Sequence, residues 1–540
     1  MISHLTKSCF IALATLSMTA CTTLGPDFTP SQETQLPSSW NDSDTQASMD
    51  STVKWWEQFN DPTLNKLVDI ASQQNLDVEA AGFRILQARS VLGIADGLQY
   101  PQLQSISGNL AKAYANESSF NNATLSFDAG WEMDVWGKYA RGIESAQAGY
   151  YASIASYNDI LVTITSEVAR NYINYRTFQE RILLSQRNIE IQERVVNITR
   201  VQFESGNVTE LDVQQARNQL FTTKAALPAL TVAMLQAKNA LAVLLGTLPE
   251  EIEPILKSDM EQKLVQFEQR FKASGSKSAI SEKGDGSIVP ETPVLANLVD
   301  ASLVMRRPDL QVAELQAHAQ SAQIGVAETA LYPSFSLFGS IGINSSVPSG
   351  SSFSFNDSLT LVAGPAMSWN IFQYGRVKNN IRFEDAKFQE TLTNYNKKVL
   401  QAVQEVTNAM EAYDLYREQK SLRLESVNAS VRAFNISLTQ YENGQISFER
   451  LLNSVEKMTR SEDSYAQIKG NVANQVVALY KSLGGGWQIN SGKAFVSPEH
   501  VEQMNKRTDW SDQLQQENVA LPSLTLRTGA KPPATDKEDK

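Results

Sequence analysis

The chain is short of the residues on which most chemistry depends. Its 540 residues include two cysteines, Cys9 and Cys21, and three histidines, His4, His318 and His500, which fall in unrelated segments. Cys9 lies in an apolar leader, so Cys21 has no partner for an internal disulfide. There is no metal-ligand spacing and no glycine loop between a strand and a helix to cradle phosphate. Gly484-Gly485-Gly486 follows a helical pattern and reads as a C-cap and turn. No enzymatic activity, cofactor or metal is therefore expected. With 47 basic against 59 acidic side chains, the net charge of -12 excludes a basic nucleic-acid binder. Beyond the first twenty residues no unbroken apolar run reaches the 18 or so residues of a spanning helix. At 42% apolar the chain is not disordered throughout, and its length alone suggests three or four domains.

What is present begins at the N-terminus. MISHLTK with Lys7, followed by apolar residues 9–20, has the form of a signal peptide over residues 1–20. Met18-Thr19-Ala20-Cys21 resembles the lipobox of bacterial lipoproteins, which implies cleavage before Cys21 and lipidation of its thiol. Thr22 after that cysteine, rather than Asp, favours passage to the outer membrane.

The chain is also duplicated. Asp77, Ala81, Gly93, Ala95 and Tyr100-Pro101 recur at an offset of 232 as Asp309, Ala313, Gly325, Ala327 and Tyr332-Pro333. Trp131, Gly137, Tyr157-Asn158, Glu167-Val168, Gly206 and Gly246 recur at 238 as Trp369, Gly375, Tyr395-Asn396, Glu405-Val406, Gly444 and Gly484. The small change of offset falls in the Pro/Gly/Ser-rich stretch near Val347 to Ser354. The expected layout is a lipidated segment at 21–61, a first repeat at 62–246, a linker and equatorial region at 247–305, a second repeat at 306–486 and a C-terminal segment at 487–540, extended or disordered after about Asn490.

Each half holds two kinds of pattern. Gly137 to Gly206 and Gly375 to Gly444 enclose stretches without proline, long enough for helices of about 100 Å. From Val399 through Val406, Tyr413, Leu424, Val427, Val431 and Phe434 to Tyr441, steps of four and three give a 3.5-residue seam, the mark of a coiled coil. Between the helices the period falls to two. Ala123, Leu125, Phe127, Ala129, Trp131, Met133 and Val135 are apolar, and the residues between them are polar or glycine. Residues 358–371 alternate similarly, as do 335–343, whereas 103–114 is assigned by its place in the repeat. Segments of about ten residues with this dyad pattern are typical of transmembrane β-strands. Expected strands are 102–114, 123–136, 333–344 and 358–372. A half-buried soluble sheet is the alternative for one such strand, but less so for four in two repeated hairpins.

Four strands cannot close a barrel, and an open edge in lipid leaves backbone groups unpaired. The chain must oligomerise. Eight strands give an interior filled by side chains and twelve leave a pore; polar Asp128, Glu132 and Asp134 facing a barrel lumen favour twelve. The fold class is thus a membrane α/β protein in which four strands per chain enter a trimeric twelve-stranded β-barrel, continued by a long periplasmic α-helical barrel.

These residues match a known family. Gly25-Pro26-Asp27-Phe28, Trp55-Trp56 with Phe59 and Asp61, Gly93-Ile94-Ala95 and Tyr100-Pro101 resemble the TolC-like outer-membrane efflux proteins, in the lipoprotein branch that serves resistance-nodulation-division (RND) pumps. So do Arg306-Arg307-Pro308-Asp309-Leu310, Gly325-Val326-Ala327, Tyr332-Pro333 and residues 479–487, closing Gly484-Gly485-Gly486-Trp487. The resemblance implies a homotrimer set in outer-membrane lipid of a Gram-negative bacterium, extending into the periplasm. It would conduct drugs, metals or other small molecules passively from an inner-membrane pump and a periplasmic adaptor. It further implies a periplasmic gate latch between Asp212 and Tyr441. Where the family usually carries two acids at the aperture, this chain has Arg450 and Asn453, and Glu449 and Glu456 are placed to restore an acidic ring about a turn away. Alternatives are a duct for type I protein secretion and, from another class, a structural coiled-coil envelope lipoprotein, which would not need alternating hairpins.

Overall fold

The structure, a computed structural model, describes residues 23–29, 52–115, 118–273, 287–294, 304–348, 354 and 358–514. Its elements fall into two series. The first is α1 (Pro62–Gln74), α2 (Leu76–Gly97), β1 (Leu103–Ala115), β2 (Ser118–Met133), α3 (Lys138–Glu204) and α4 (Glu210–Leu244). After α5 (Glu253–Lys257) and α6 (Met260–Ala273), the second is α7 (Pro308–Thr329), β3 (Ser334–Pro348), β4 (Leu359–Ser368), α8 (Arg376–Glu442) and α9 (Phe448–Ser482), followed by α10 (Pro498–Arg507). Corresponding helices have equal lengths, 22 residues for α2 and α7, 67 for α3 and α8, and 35 for α4 and α9.

At about 1.5 Å per residue, α3 and α8 run about 100 Å, and no single partner covers either of them. Two do so together. In the first half α2 and α4 both lie along α3; in the second, α7 and α9 lie along α8. The short helices meet end to end. Asn75 accepts from Asp77 N–H (2.9 Å) and Val78 N–H (3.0 Å) at the start of α2, and its amide donates to the Leu244 carbonyl at the end of α4 (2.8 Å). One repeat on, Arg307 stands in the same place. It forks onto Asp309 (3.0 Å twice) at the start of α7, donates to the Ser482 carbonyl at the end of α9 (2.9 Å) and pairs with Glu405 of α8 (2.8 Å). Unpaired groups at both helix ends are thereby satisfied, which explains the Arg-Arg-Pro-Asp run.

The core lies at these joints. Trp55, Trp56, Phe59, Leu64, Leu161, Ile173 and Tyr480 are buried there, with Trp55 stacked on Tyr480 at 5.3 Å. Gly485 and Gly486 fit beneath: a Cβ on Gly485 would come within 2.8 Å of the Thr52 carbonyl oxygen, and Gly486 has φ +100. The 3.5-residue seam of α8 is core as well, with Val399, Val406, Tyr413, Leu424, Val427, Val431, Phe434 and Tyr441 buried. Arg176 on α3 is wholly buried and ties α5 and α6 to the bundle through the Leu256 carbonyl (3.1 Å), Asp259 and the Tyr172 hydroxyl (3.0 Å), while Lys263 bridges Asp259 (2.9 Å) and Asp61 (2.8 Å). Burial raises the Asp259 carboxyl, but the charges of Arg176 and Lys263 outweigh it and hold it below its ordinary value.

The halves meet along α3 and α9 through a polar seam: Asn474–Asn174 (2.8 Å), Arg181–Asp463 (2.7 Å), Asn188–Glu462 (3.0 Å) and Gln192–Thr459 (3.4 Å). Residues 287–294 pack across it, held by Glu180, which accepts from Ser287, Ile288 and Val289 and pairs with Lys469.

Three expectations are corrected. β2 begins at Ser118 rather than 123, because 118–122 pair with 111–115 of β1. β4 ends at Ser368 rather than 372, where its partner β3 begins. The segment after Asn490 is not extended as far as 514: α10 folds back, and Val496, Met504 and Leu514 cluster with Leu86 of α2. The signal-peptide residues, Cys21, residues 274–286 and the tail beyond 514 lie outside the described residues.

Removing one partner of a buried ion pair costs about 3 to 5 kcal/mol. Arg176→Leu should accordingly lower the thermal unfolding midpoint of the detergent-purified protein markedly, while Arg200→Leu on the exposed end of the same helix should leave it nearly unchanged.

Candidate functional site

The four strands form one antiparallel sheet in the order β1-β2-β3-β4. Their alternations lie in phase. Register aligns Ile106 with Phe127, Ile341 and Leu361, aligns Leu125 with Ile343 and Leu359, and sets Met133 beside Phe335 and Met367. These rows give one apolar face. The opposite face carries Ser105, Asp128 and Ser340 in one row, Ser107 with Ser126 in the next, then Asn109, Thr124 and Asn344. β1, which alternates poorly when read alone, contributes Ile106, Leu110 and Tyr114 to the apolar face once its register is fixed by β2. Both β1 and β4 are sheet edges within the chain.

The structure separates the three acids expected in a lumen. Asp128 is on the polar face and accepts from the Ser126 hydroxyl at 3.0 Å. Glu132, near the end of β2, is instead engaged by Lys138 (2.9 Å) and the Tyr139 hydroxyl (3.0 Å) from the first turn of α3. Burial pulls the Lys138 ammonium down, but Glu132 more than offsets it and the net shift is upward. Asp134 accepts from Ala140 N–H (2.8 Å) and so caps the start of α3, where a carboxylate is favoured by the helix dipole. Glu132 and Asp134 thus belong to the strand-to-helix junction, an assignment that spacing along β2 could not make. The junction has a repeated fastening too: Trp131 donates to the Gln99 carbonyl and Trp369 to the Leu331 carbonyl, each at 3.0 Å.

The segment that follows Cys21 docks at the same level. Leu24 N–H donates to the Trp136 carbonyl (3.2 Å), and buried Arg141 donates to the carbonyls of Leu24 (2.9 Å) and Gly25 (3.2 Å) and pairs with Asp27 (2.8 Å) and Glu144 (2.7 Å). Phe28 stacks on His318 of α7 at 5.0 Å. Gly25 and Gly325 cross so closely that a Cβ on Gly25 would lie 2.4 Å from the Gly325 Cα. The role of Gly25-Pro26-Asp27-Phe28 is therefore to clip α3 to α7. Sequence spacing had no means of locating Arg141, the residue that holds this clip.

At the far ends of the long helices, Gly206 (φ +77) and Gly444 (φ +69) turn the chain into α4 and α9. The expected Asp212–Tyr441 bond is not made. Asp212 accepts from the backbone N–H and the hydroxyl of Thr209 (both 2.9 Å), satisfying its own helix start, whereas buried Tyr441 donates to Thr199 on α3 at 3.5 Å. Burial and the nearby Asp212 charge push the Tyr441 phenol up. An exposed pair, Arg194–Glu442 (3.3 Å), joins α3 to α8 beside it. Arg450 and Asn453 line a groove of about 320 Å³ with Ile446, Lys457 and residues of α8. Glu456 lies in a different groove, of about 790 Å³, with Arg460, Asp463 and residues of α3 and α4. Glu449 is exposed on the first turn of α9. The acids flanking Asn453 therefore do not share its groove. Among the described residues no cluster of His, Cys, Asp and Glu could hold a metal ion.

Residues 67–247 and 301–485 match the profile of a family described as outer membrane efflux protein. The chain is 28% identical to nodulation protein T of Rhizobium leguminosarum bv. trifolii, over 86% of this chain and 94% of that one. It is 25% identical to the probable outer membrane lipoprotein SilC of Salmonella typhimurium, over 80% and 88%. The solved outer-membrane channel OprN superposes with a TM-score of 0.73 at 28% identity, covering 86% of this chain and all of that one.

If Asp212 is a helix cap, Asp212→Ala should cost about 1 kcal/mol at that terminus. Amide exchange at the start of α4 should speed up in Asp212→Ala and stay unchanged there in Tyr441→Phe; a latch joining the two would change both.

Proposed function

Since the chain belongs to the outer membrane efflux protein family, we propose that it is the exit duct of a tripartite efflux system, passively conducting drugs, metals or other small molecules handed on by an inner-membrane pump of the RND type and a periplasmic adaptor. Three copies close a twelve-stranded barrel, and their helices continue it as a periplasmic tube with its aperture near Arg450 and Asn453. Cys21 carries the lipid. Two residues of extended chain, about 7 Å, separate it from Thr23, which lies against Gly137 at the strand-to-helix junction.

The observation that carries this reading is an unfinished repeat. Within the chain, second-half elements pack on first-half ones: β3 on β2, α7 on α3 and α9 on α3. Repeating that step requires β1, α2 and α4 of one copy to pack on β4, α8 and α8 of the next, and within a single chain these surfaces are open. Their apolar side chains support the match. Gly470 lies against Thr177 where α9 meets α3, and the residues one repeat away are Val232 of α4 and Leu415 of α8, 54% and 65% exposed. The Gln323–Ser145 hydrogen bond likewise corresponds to Val91 of α2 and Phe383 of α8, 56% and 61% exposed. By composition α4 could cross a membrane, but it lies along α3, and a neighbouring α8 accounts for its exposed apolar residues.

Val232→Cys combined with Leu415→Cys should therefore yield disulfide-linked dimers and trimers on oxidation, and neither single variant should. Purified protein should have the mass of a trimer and conduct ions in a planar bilayer. Monomeric mass with no cross-link would contradict the duct.

A further inference from the structure

We propose that Asp128 sets the charge selectivity of the barrel; this rests on the trimeric duct proposed above. β1 to β4 contain three charged residues whose side chains are described: Lys112, Asp128 and Glu132. Lys112 is opposite Asn121, on the same face as Leu110 and Ala123, so it points away from the polar face, and its ammonium lies over the Tyr114 ring. Glu132 is at the rim and its charge is matched by Lys138. Asp128 is the one charge on the polar face without a countercharge at hand. Its row-mates are Ser105 and Ser340, and the rows beside it are Ser107 with Ser126 and Gly130 with Phe338.

The carboxylate is positioned by its neighbours. Ser126 donates to it at 3.0 Å, and the Ser107 and Ser126 hydroxyls are 3.0 Å apart, so a hydroxyl chain from β1 orients the donor. Depth follows from register. Asp128 is five residues from the end of β2 at Met133, about 16 Å along the strand at about 3.3 Å per residue, or about 12 Å of height at a tilt of about 40°, near the middle of an apolar band about 25 Å tall. Three copies would place one ring of carboxylates at mid-membrane in a wall otherwise lined by hydroxyl, amide and small side chains. Rings of Asp favour cations. In a wide pore such a ring acts through its field, with a reach of about 8 Å at physiological salt and about 30 Å at 0.01 M. The selectivity should therefore grow as salt is diluted.

The test is the reversal potential of reconstituted trimers in a potassium chloride gradient at low salt. Asp128→Asn should lower the potassium-to-chloride permeability ratio about twofold or more, with a smaller change at 1 M. Glu132→Gln, which removes a charge already paired, should shift it by less than half as much. An unchanged ratio in Asp128→Asn, or an equal shift in Glu132→Gln, overturns the assignment. A second measurement needs no open gate. In detergent-purified trimer, Ser107→Cys should react faster with a cationic than with an anionic methanethiosulfonate reagent, and adding Asp128→Asn should collapse that ratio. Persistence of the ratio overturns the assignment, whereas lack of conductance in a wild-type trimer that still shows the thiol effect counts against the duct alone.

Discussion

Two 67-residue helices have to be covered by partners that are each too short for the task. Everything else in the chain is arranged around that mismatch. A helix much beyond a few turns is stable in water only when its apolar stripe is packed, and here the stripe is covered by pairs of shorter helices abutted end to end. The abutment is the delicate point, because it brings the unpaired carbonyls of one helix against the unpaired amides of the next. Asn75 resolves it in one half with a neutral amide that both accepts and donates. Arg307 resolves it in the other with a charged fork that also reaches Glu405. The aromatic core, the glycines beneath it and the α5–α6 belt all gather at this level.

A second concentration of contacts marks where the period changes from 3.6 to 2. Two tryptophans fasten helix ends to strands, two carboxylates fasten a strand to the helix that follows, and Arg141 draws in the segment next to Cys21. The N-terminal segment is thus part of the junction: with Gly25 against Gly325, even a methyl group at the crossing would have to displace backbone.

Much of the architecture was legible because it rests on long patterns. The duplication, the seam through Val399, Val427 and Tyr441 and the alternation from Ala123 to Met133 each extend over enough residues to outweigh local exceptions. What escaped was decided by single contacts. β1 has the right residues in a phase that only pairing with β2 discloses. Glu132 and Asp134 occupy lumen-facing parity, yet Lys138 and the α3 amides lie nearer than any lumen. Asp212 sits three residues after Thr209, where a local helix start competes with a distant phenol and holds the carboxylate. The fold of residues 498–514 depends on burying Met504 and Leu514 against Leu86, and a short polar helix gives little sign of that in its own composition. Arg141 is one arginine among many until the backbone of Leu24 and Gly25 is laid over it.

The two kinds of seam in such a ring differ in chemistry. The one inside each chain is lined by amides, hydroxyls and ion pairs, and the one proposed between chains by Val232, Leu415, Phe383 and Val91. Covalent linkage explains why the first can be polar. Tethered halves meet at a high effective concentration, so their contact need not be strong enough to recruit a free partner. Separate copies have no tether and must associate through burial of apolar surface. Gene duplication thereby relieved every second seam of the work of assembly, leaving it free to exchange its hydrogen bonds with water at little cost.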